Sequence, residues 1–253
     1  MTSSDFNGRA FLIVGGYGGI GTALAHRLVD SGASVTIAGR DTDKANALAR
    51  EIGGHALGGV AATDAEAVKQ AVTETAAHHG RLDGAVNLPG TILLQPAHLT
   101  TPDELQHTLS VNLVTAFNLV RAASQAMRKE GGSIVLMSSA AGTSGLPNHE
   151  AIAAAKAGVI GLARSAAATY AGNGVRVNAV AHGMVRSPLS APILGNELAE
   201  KASTAMHPLG RLGEAADIVP AITWLLDPSQ TWISGTVMEV DGGLGNLRGR
   251  VKV

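Results

Sequence analysis

The chain has 253 residues with 32 glycines, no cysteine and a formal net charge of −1 from 19 basic and 20 acidic side chains. The length suits one α/β domain with a sizeable core, and the lack of cysteine excludes disulfides and a thiol nucleophile. The balanced charge provides no basic surface for nucleic acid or an anionic membrane. No apolar run approaches the about 18 residues of a spanning helix, and the N-terminus does not resemble a secretion signal, so we expect a soluble, cytoplasmic protein.

Short β-rich segments alternate with alanine-rich helical segments along the whole chain. This alternation predicts a single domain, residues 1–253, built as a doubly wound, mainly parallel seven-stranded sheet with helices on both faces. The predicted strands are Ala10–Val14, Ser34–Ala38, His55–Val60, Asp83–Leu88, Ser133–Ser138, Val175–Ala181 and Thr236–Val240. The predicted helices cover about 20–31, 42–52, 64–79, 102–129, 150–171 and 214–227.

Two later segments depart from this simple pattern. The helix at 150–171 is small and apolar around its circumference except at Lys156 and Arg164, so we expect it to be buried on all sides, partly by a partner subunit. Segment 187–210 contains three prolines and lacks a clean period. We therefore predict a mobile loop there that closes over a ligand.

A glycine-rich segment follows the first predicted strand and leads into a helix. Its glycines allow a tight turn and a close approach of the backbone to a pyrophosphate, whose charge meets free N–H groups at the helix N-terminus. A flexible strand-to-helix turn is the alternative. The residues of this loop that we expect to bind a dinucleotide are Gly15, Tyr17, Gly18, Gly19, Ile20 and Gly21.

More motifs stand at or after the later strands. They are Asn87…Gly90, Asn112 in Ser-Val-Asn-Leu, Ser138-Ser139, Lys156 in Ala-Ala-Ala-Lys-Ala-Gly, Val177-Asn178-Ala179-Val180, and Ile233-Ser234-Gly235…Val240-Asp241-Gly242-Gly243. With the Gly-x-x-x-Gly-x-Gly spacing of Gly15, Gly19 and Gly21, these motifs make essentially the whole chain resemble the short-chain dehydrogenase/reductase family.

The resemblance implies a Rossmann-type fold, a nicotinamide dinucleotide, a small-molecule substrate and a homodimer or homotetramer assembled through the helices at 102–129 and 150–171. It also implies that Asn112, Ser139 and Lys156 belong to the catalytic machinery. The further cofactor-binding residues that it implies are Ala62, Asn87, Gly90, Lys156, Gly183 and Val185.

Arg40 bears on the choice of dinucleotide. The second strand ends in Ala38-Gly39-Arg40, where an acidic residue would accept hydrogen bonds from the ribose 2′-hydroxyl and an arginine can pair with a 2′-phosphate. Arg40 therefore predicts NADP(H) rather than NAD(H). Alternatively, Arg40 only covers a solvated strand end.

The position four residues before Lys156 holds Ile152, whereas the family has a tyrosine there as general acid or base. Isoleucine cannot transfer a proton, and general acid–base help is worth roughly 10²–10⁴-fold. The two tyrosines, Tyr17 and Tyr170, cannot replace it, because Tyr17 lies in the glycine loop and Tyr170 lies about four turns from Lys156 on the same helix. Ile152, Ser139 and His182 are expected to line the substrate pocket.

His182 is a second departure, because relatives have Pro-Gly where this chain has His182-Gly183. Histidine titrates near neutral pH, so His182 is a candidate replacement acid or base. Alternatively, its ring points to solvent or bonds a backbone group. The His78-His79 pair lacks a third ligand in the sequence pattern, so we predict no metal site.

Three functions fit these residues. The first is an NADP(H)-dependent oxidoreductase acting on an apolar small molecule that does not need the phenol, such as an iminium or a conjugated enone rather than a simple ketone. The second is a redox-neutral cyclase, isomerase or lyase in the same pocket. The third is a non-catalytic binding protein.

Overall fold

One parallel sheet organises the computed structural model, which describes residues 6–247. Its seven strands lie in the order β3-β2-β1-β4-β5-β6-β7, which confirms the predicted doubly wound sheet. The strands are β1 Ala10–Val14, β2 Ser34–Ala38, β3 His55–Leu57, β4 Gly84–Asn87, β5 Gly132–Ser139, β6 Val175–His182 and β7 Val237–Val240. The order reverses between β1 and β4, and ligands of such sheets bind at the carboxyl ends of the strands beside this reversal.

Helices cover both faces of the sheet. They are α1 Gly19–Asp30, α2 Thr42–Ile52, α3 Ala65–His79, α4 Pro102–Leu109, α5 Thr115–Ala126, α6 Glu150–Tyr170, α7 Ala191–Leu194, α8 Glu197–Met206 and α9 Ala215–Leu226. The helix predicted at 102–129 is therefore two α-helices, joined by a π-helical turn at Ser110–Val114. It also ends three residues earlier than predicted, at Ala126.

Strand β1 shows why the sheet needs two helical layers. Leu12 and Val14 belong to one buried cluster and Phe11 and Ile13 to another, because neighbouring side chains of a strand point to opposite faces. The first cluster is closed by residues of α3, α5 and α6, and the second by residues of α1 and α9. Both faces of the strand are thus covered, as its continuous apolar sequence predicts.

The segment at 187–210 differs from its prediction as a loop. It contains α7 and α8. Asn196 caps the N-terminus of α8, because its Oδ1 accepts the N–H groups of Leu198 and Ala199 at 2.9 and 3.1 Å. Arg186, just after β6, pairs with Glu200 of α8. The segment is therefore largely helical and is linked to the end of β6. The sequence did not indicate these helices, because the prolines interrupt any hydrophobic periodicity.

Helix α6 is buried on one side only within this chain. Ala151, Ala155 and Val159 are buried, whereas Ala154 and Ala157 are exposed. The stretch Glu150–Asn173 is long and apolar enough to cross a membrane, which the sequence analysis did not anticipate, but half of it is buried inside the fold. Within the single chain, α6 is therefore covered on one side, as expected, and the covering of its other side by a partner subunit stays a prediction.

Candidate active site

The glycine loop connects β1 to α1 at the carboxyl end of the sheet. Gly15 has φ +75°, a conformation that L side chains rarely adopt, and a methyl group at Gly21 would lie only 2.3 Å from the carbonyl oxygen of Gly16. Gly18 is the N-cap of α1, and no side chain among residues 6–247 caps this helix. The loop thus presents free N–H groups and the positive end of a helix dipole, which fit a pyrophosphate.

The end of β4 forms the next wall. The Pro89 ring packs on the glycine loop, since its Cδ would lie 3.1 Å from a methyl group at Gly15. Asn87 is buried and its Nδ2 donates to Thr115 Oγ1 at 3.2 Å, but its Oδ1 has no hydrogen-bond donor within the described part of the chain. A buried acceptor is costly without a partner, so Asn87 Oδ1 fits a donor supplied by a ligand.

Tyr17 covers the end of β2. A methyl group at Gly39 would lie 2.3 Å from Cε1 of Tyr17, so the ring lies directly on this glycine. The Tyr17 hydroxyl accepts the Asp41 N–H at 3.0 Å. Arg40 is exposed beside this contact, and its guanidinium has no ion-pair partner in the stretch 6–247. Ala62 follows the next strand and is buried.

Asn112 and Gly90 lie close together at the end of β4. Asn112 belongs to the π-helical turn; its Nδ2 donates to the Thr108 carbonyl at 2.9 Å and its Oδ1 accepts the Thr91 N–H at 3.2 Å. A methyl group at Gly90 would lie 3.2 Å from this Oδ1 and 3.9 Å from Nζ of Lys156. The irregular turn therefore directs an amide toward the lysine, a common use of π-turns at functional sites.

Lys156 is the buried cation of the site. Only 7% of its surface is exposed, and its Nζ donates to the Met137 carbonyl oxygen at 2.9 Å. Burial lowers the pKa of this ammonium to about 8, because the charged form loses its hydration. The ammonium form therefore still predominates at neutral pH.

His182 and Ser139 are neighbours on the sheet, because they are register partners in the adjacent parallel strands β5 and β6. His182 Nδ1 lies 2.7 Å from the Gly183 carbonyl oxygen, which can only accept, so Nδ1 carries the proton and Nε2 keeps its lone pair. Burial, and to a smaller extent the charge of Lys156, lower the pKa of His182 to about 4. His182 is thus neutral at pH 7, which suits a base or acceptor rather than an acid.

Ser139 keeps a proton to donate. Its Oγ accepts the Ala141 N–H at 3.2 Å, which orients the side chain and leaves the hydroxyl hydrogen free. Ile152 lies one turn before Lys156 on α6 and is 5% exposed. Tyr170 ends the same helix, so the structure does not bring it to Ile152. The substrate side therefore combines an apolar wall with one hydroxyl and one neutral imidazole.

His207 is a residue of this region that the sequence analysis missed. It is buried, its Nδ1 lies 2.7 Å from the Ser203 carbonyl oxygen, and its Nε2 accepts the Met184 N–H at 3.1 Å. It thereby holds the turn after His182, beside a cavity of about 380 Å³. No local pattern marks His207, because its partner Met184 is 23 residues away.

The predicted contacts Gly183 and Val185 lie in this same turn. A methyl group at Gly183 would lie 2.6 Å from Nε2 of His207, and Val185 bridges to Gly213. Two residues further, Ser187 reaches the glycine loop, since its Cβ would lie 3.5 Å from a methyl group at Gly19. The 187–210 segment therefore starts directly on the phosphate-binding loop.

A parallel sheet with this order and a glycine loop at its switch point define a Rossmann-type dinucleotide-binding protein. The family model described as Enoyl-(Acyl carrier protein) reductase matches residues 15–245. The solved structure of a short-chain type dehydrogenase/reductase from Mycobacterium ulcerans has a TM-score of 0.90 at 31% identity, covering 97% of this chain and 92% of that chain. The chain belongs to the short-chain dehydrogenase/reductase family, which confirms the resemblance.

Curated relatives place the chain among oxidoreductases. It is 34% identical to the 2,5-dichloro-2,5-cyclohexadiene-1,4-diol dehydrogenase of Sphingobium indicum, over 95% of this chain and 98% of that protein. It is 35% identical to a protein of Xanthobacter autotrophicus named inactive 2-(S)-hydroxypropyl-CoM dehydrogenase 2, over 87% of this chain and 99% of that protein. Family membership implies a nicotinamide cofactor and a small-molecule substrate.

Proposed function

We propose that this protein is an NADP(H)-dependent oxidoreductase that acts on an apolar small molecule without a tyrosine acid. The observation that carries the proposal is the intact dinucleotide end, where the uncapped N-terminus of α1 meets a loop whose glycines Gly15 and Gly21 cannot be replaced without strain or collision. When bound, the nicotinamide supplies the hydride or accepts it.

In this proposal, different residues of the site bind different parts of the dinucleotide. The N–H groups after Gly18 hold the pyrophosphate, Arg40 pairs with the 2′-phosphate, and the Lys156 ammonium holds the ribose near the nicotinamide.

The cytoplasmic location stays a prediction.

The substrate side favours a reaction that needs little acid catalysis. Ile152 cannot protonate an alkoxide, and His182 is neutral at pH 7. An iminium is already cationic, and the enolate oxygen of a conjugated enone can accept the Ser139 hydroxyl hydrogen. Leu189 and Leu198 of the adjoining segment are 49% and 77% exposed, which favours an apolar substrate beneath them.

Calorimetric titration with NADPH and NADH tests the cofactor assignment. We expect NADPH to bind more tightly, and Arg40→Gln to remove the preference because it removes the cation. Arg50→Gln is the matched control, since Arg50 is also exposed but lies at the far end of α2. Equal affinity of the wild type for both cofactors would contradict the proposed role of Arg40 in selecting NADP(H). If the wild type bound neither cofactor, the proposed oxidoreductase function would be contradicted.

The redox-neutral alternative is supported by the register pair Ser139–His182, because a residue with a hydroxyl group and a residue with a neutral imidazole are neighbours on adjacent strands. In that function His182→Pro and His182→Asn would both abolish turnover, because neither side chain accepts a proton. Retained turnover in His182→Asn would limit His182 to a positioning role. A non-catalytic binding protein remains the third candidate, and the relative named inactive is consistent with it.

A homodimer or homotetramer is part of the same proposal. Phe117 of α5 is 55% exposed and Val114 before it is 38% exposed, next to the exposed small residues of α6. Such an apolar surface suits a subunit contact. Phe117→Lys should lower the molar mass measured by light scattering, and an unchanged mass would exclude Phe117 from the contact.

A further inference from the structure

We infer that Tyr17 is a specificity-determining residue, because its ring occupies the space that an acidic side chain at position 39 would need. In this way it excludes the ribose recognition that selects NAD(H). The inference rests on the proposed dinucleotide function and adds the residue that enforces the choice of cofactor.

The contact between Tyr17 and Gly39 leaves no room for a side chain at position 39. A Cβ at Gly39 would lie 2.3 Å from Cε1, 2.9 Å from Cζ and 2.9 Å from the hydroxyl oxygen of Tyr17. Real Cβ atoms essentially never approach other heavy atoms within 3.0 Å. Any residue except glycine at 39 must therefore displace the ring.

The backbone of Gly39 cannot retreat to relieve this collision. Its N–H donates to the Leu57 carbonyl at 3.2 Å and its carbonyl accepts the Val60 N–H at 3.0 Å, so both groups are fixed by the chain after β2. Tyr17 is held as well, because its hydroxyl accepts the Asp41 N–H at 3.0 Å. Displacing the ring therefore costs this hydrogen bond and leaves an N–H at the start of α2 without its partner.

The charges around this contact favour a phosphate. Arg40 projects beside it, exposed and without an ion-pair partner in the described chain, 6–247. The other nearby cation, Lys44, is paired with Asp41 at 3.0 Å. The Tyr17 ring thus leaves no space for an acidic side chain at position 39. Arg40 provides a positive charge next to this contact.

Binding titrations of four proteins test the inference: the wild type, Gly39→Asp, Tyr17→Ser and the double variant. Gly39→Asp alone should lose NADPH affinity and gain little NADH affinity, because the new carboxylate competes with the ring for space. The double variant should bind NADH about tenfold more tightly than Gly39→Asp, which corresponds to a pairwise coupling of ordinary size.

Thermal unfolding of the cofactor-free protein separates the steric effect from charge. Gly39→Ala should lower Tm in the wild-type background and have a much smaller effect in the Tyr17→Ser background. An unchanged Tm in Gly39→Ala would show that the Tyr17 ring leaves space for a side chain at position 39, and would overturn the inference. If NADPH binds the wild type and Gly39→Asp alone accepts NADH as well as the double variant does, the role of Tyr17 fails while the proposed function stands. If the wild type binds neither cofactor, both fail.

Discussion

At the dinucleotide end of the site, the predicted binding groups are mostly backbone N–H groups, and a Cβ added at Gly21 or Gly39 would come within 3 Å of another heavy atom. At the substrate end, the functional groups are side chains, and the fold accommodates Ile152 and His182 without disturbing α6 or β6. A site made from backbone resists substitution because any change alters the fold. A site made from side chains can change its chemistry while the fold is kept.

The largest effect is expected from restoring the missing acid. Ile152→Tyr should raise NADPH oxidation with a simple ketone by about 10²–10⁴-fold, because the phenol would donate the proton that isoleucine cannot. Steady-state kinetics of Ile152→Tyr and Ile152→Phe measure the effect, and the Phe variant controls for ring size. Equal rates in these two variants would show that the substrate end lacks more than a hydroxyl.

Lys156 lies between the two ends, and its burial predicts a pH-dependent stability. Its pKa is about 8 in the folded chain against the ordinary lysine value of 10.5, so between these pH values the unfolded chain binds one more proton. The free energy of unfolding should therefore rise with pH over this window, by up to about 3 kcal/mol relative to Lys156→Met. Below pH 8, Lys156 is protonated in both the folded and the unfolded chain. The free energies of unfolding of the wild type and Lys156→Met should therefore change with pH in the same way.

Urea unfolding of the wild type and Lys156→Met between pH 7 and 10 gives this difference directly. Lys69→Met is the control, because the Lys69 side chain is 65% exposed and should show no such divergence. Parallel curves for the wild type and Lys156→Met across the whole range would show that the ammonium is better hydrated than its burial indicates.

The rigidity of the dinucleotide end can be tested with one methyl group. Gly21→Ala should destabilise the protein by about 1–3 kcal/mol, because the new Cβ meets the Gly16 carbonyl oxygen at 2.3 Å. Gly172→Ala serves as the control, since nothing lies within 4 Å of a Cβ there. Chemical unfolding of both variants measures the difference, and equal stability would remove the contrast between the two ends.

The smallest expected effect concerns His182. Because its pKa is about 4 in the folded chain and 6.5 is the ordinary value, the unfolded chain binds more protons between these values. Stability should therefore fall as pH decreases from 6.5 to 4, by about 1 kcal/mol more than in His182→Gln, since the ring is partly solvent-screened. His98→Gln, at an exposed position, should behave like the wild type. A wild type no more acid-sensitive than His182→Gln would contradict the neutral imidazole.

Local patterns explain which elements could be predicted. β1 and β2 match their predicted bounds because β1 is an uninterrupted apolar run and β2 centres on the β-branched residues Val35, Thr36 and Ile37, each between turns. The helix α8 was missed, although Asn196 and the acids that follow it form a good start signal, because Pro192 and Pro208 suggested a loop. The π-helical turn at Ser110–Val114 could not be predicted, because no local sequence pattern distinguishes it from an α-helix. Its effect is on the position of Asn112 in the fold.

The candidate site divides in the same way. Lys156, Asn112 and Gly90 could be assigned to one site because each matches a motif of the family that the chain resembles. The buried acceptor of Asn87 and the ring of Tyr17 on Gly39 could not, because each depends on a contact between distant parts of the chain. The tautomer of His182 could not either, because it depends on how the ring is turned toward the neighbouring Gly183 carbonyl.

The position of Ser187 beside the glycine loop has a kinetic consequence for the proposed enzyme. The covering segment starts beside Gly19, where Ser187 Cβ would lie 3.5 Å from a methyl group. We therefore propose that a dinucleotide bound on this loop touches the first residues of the segment. Coenzyme would then bind before substrate and leave after product, and product departure would depend on the segment.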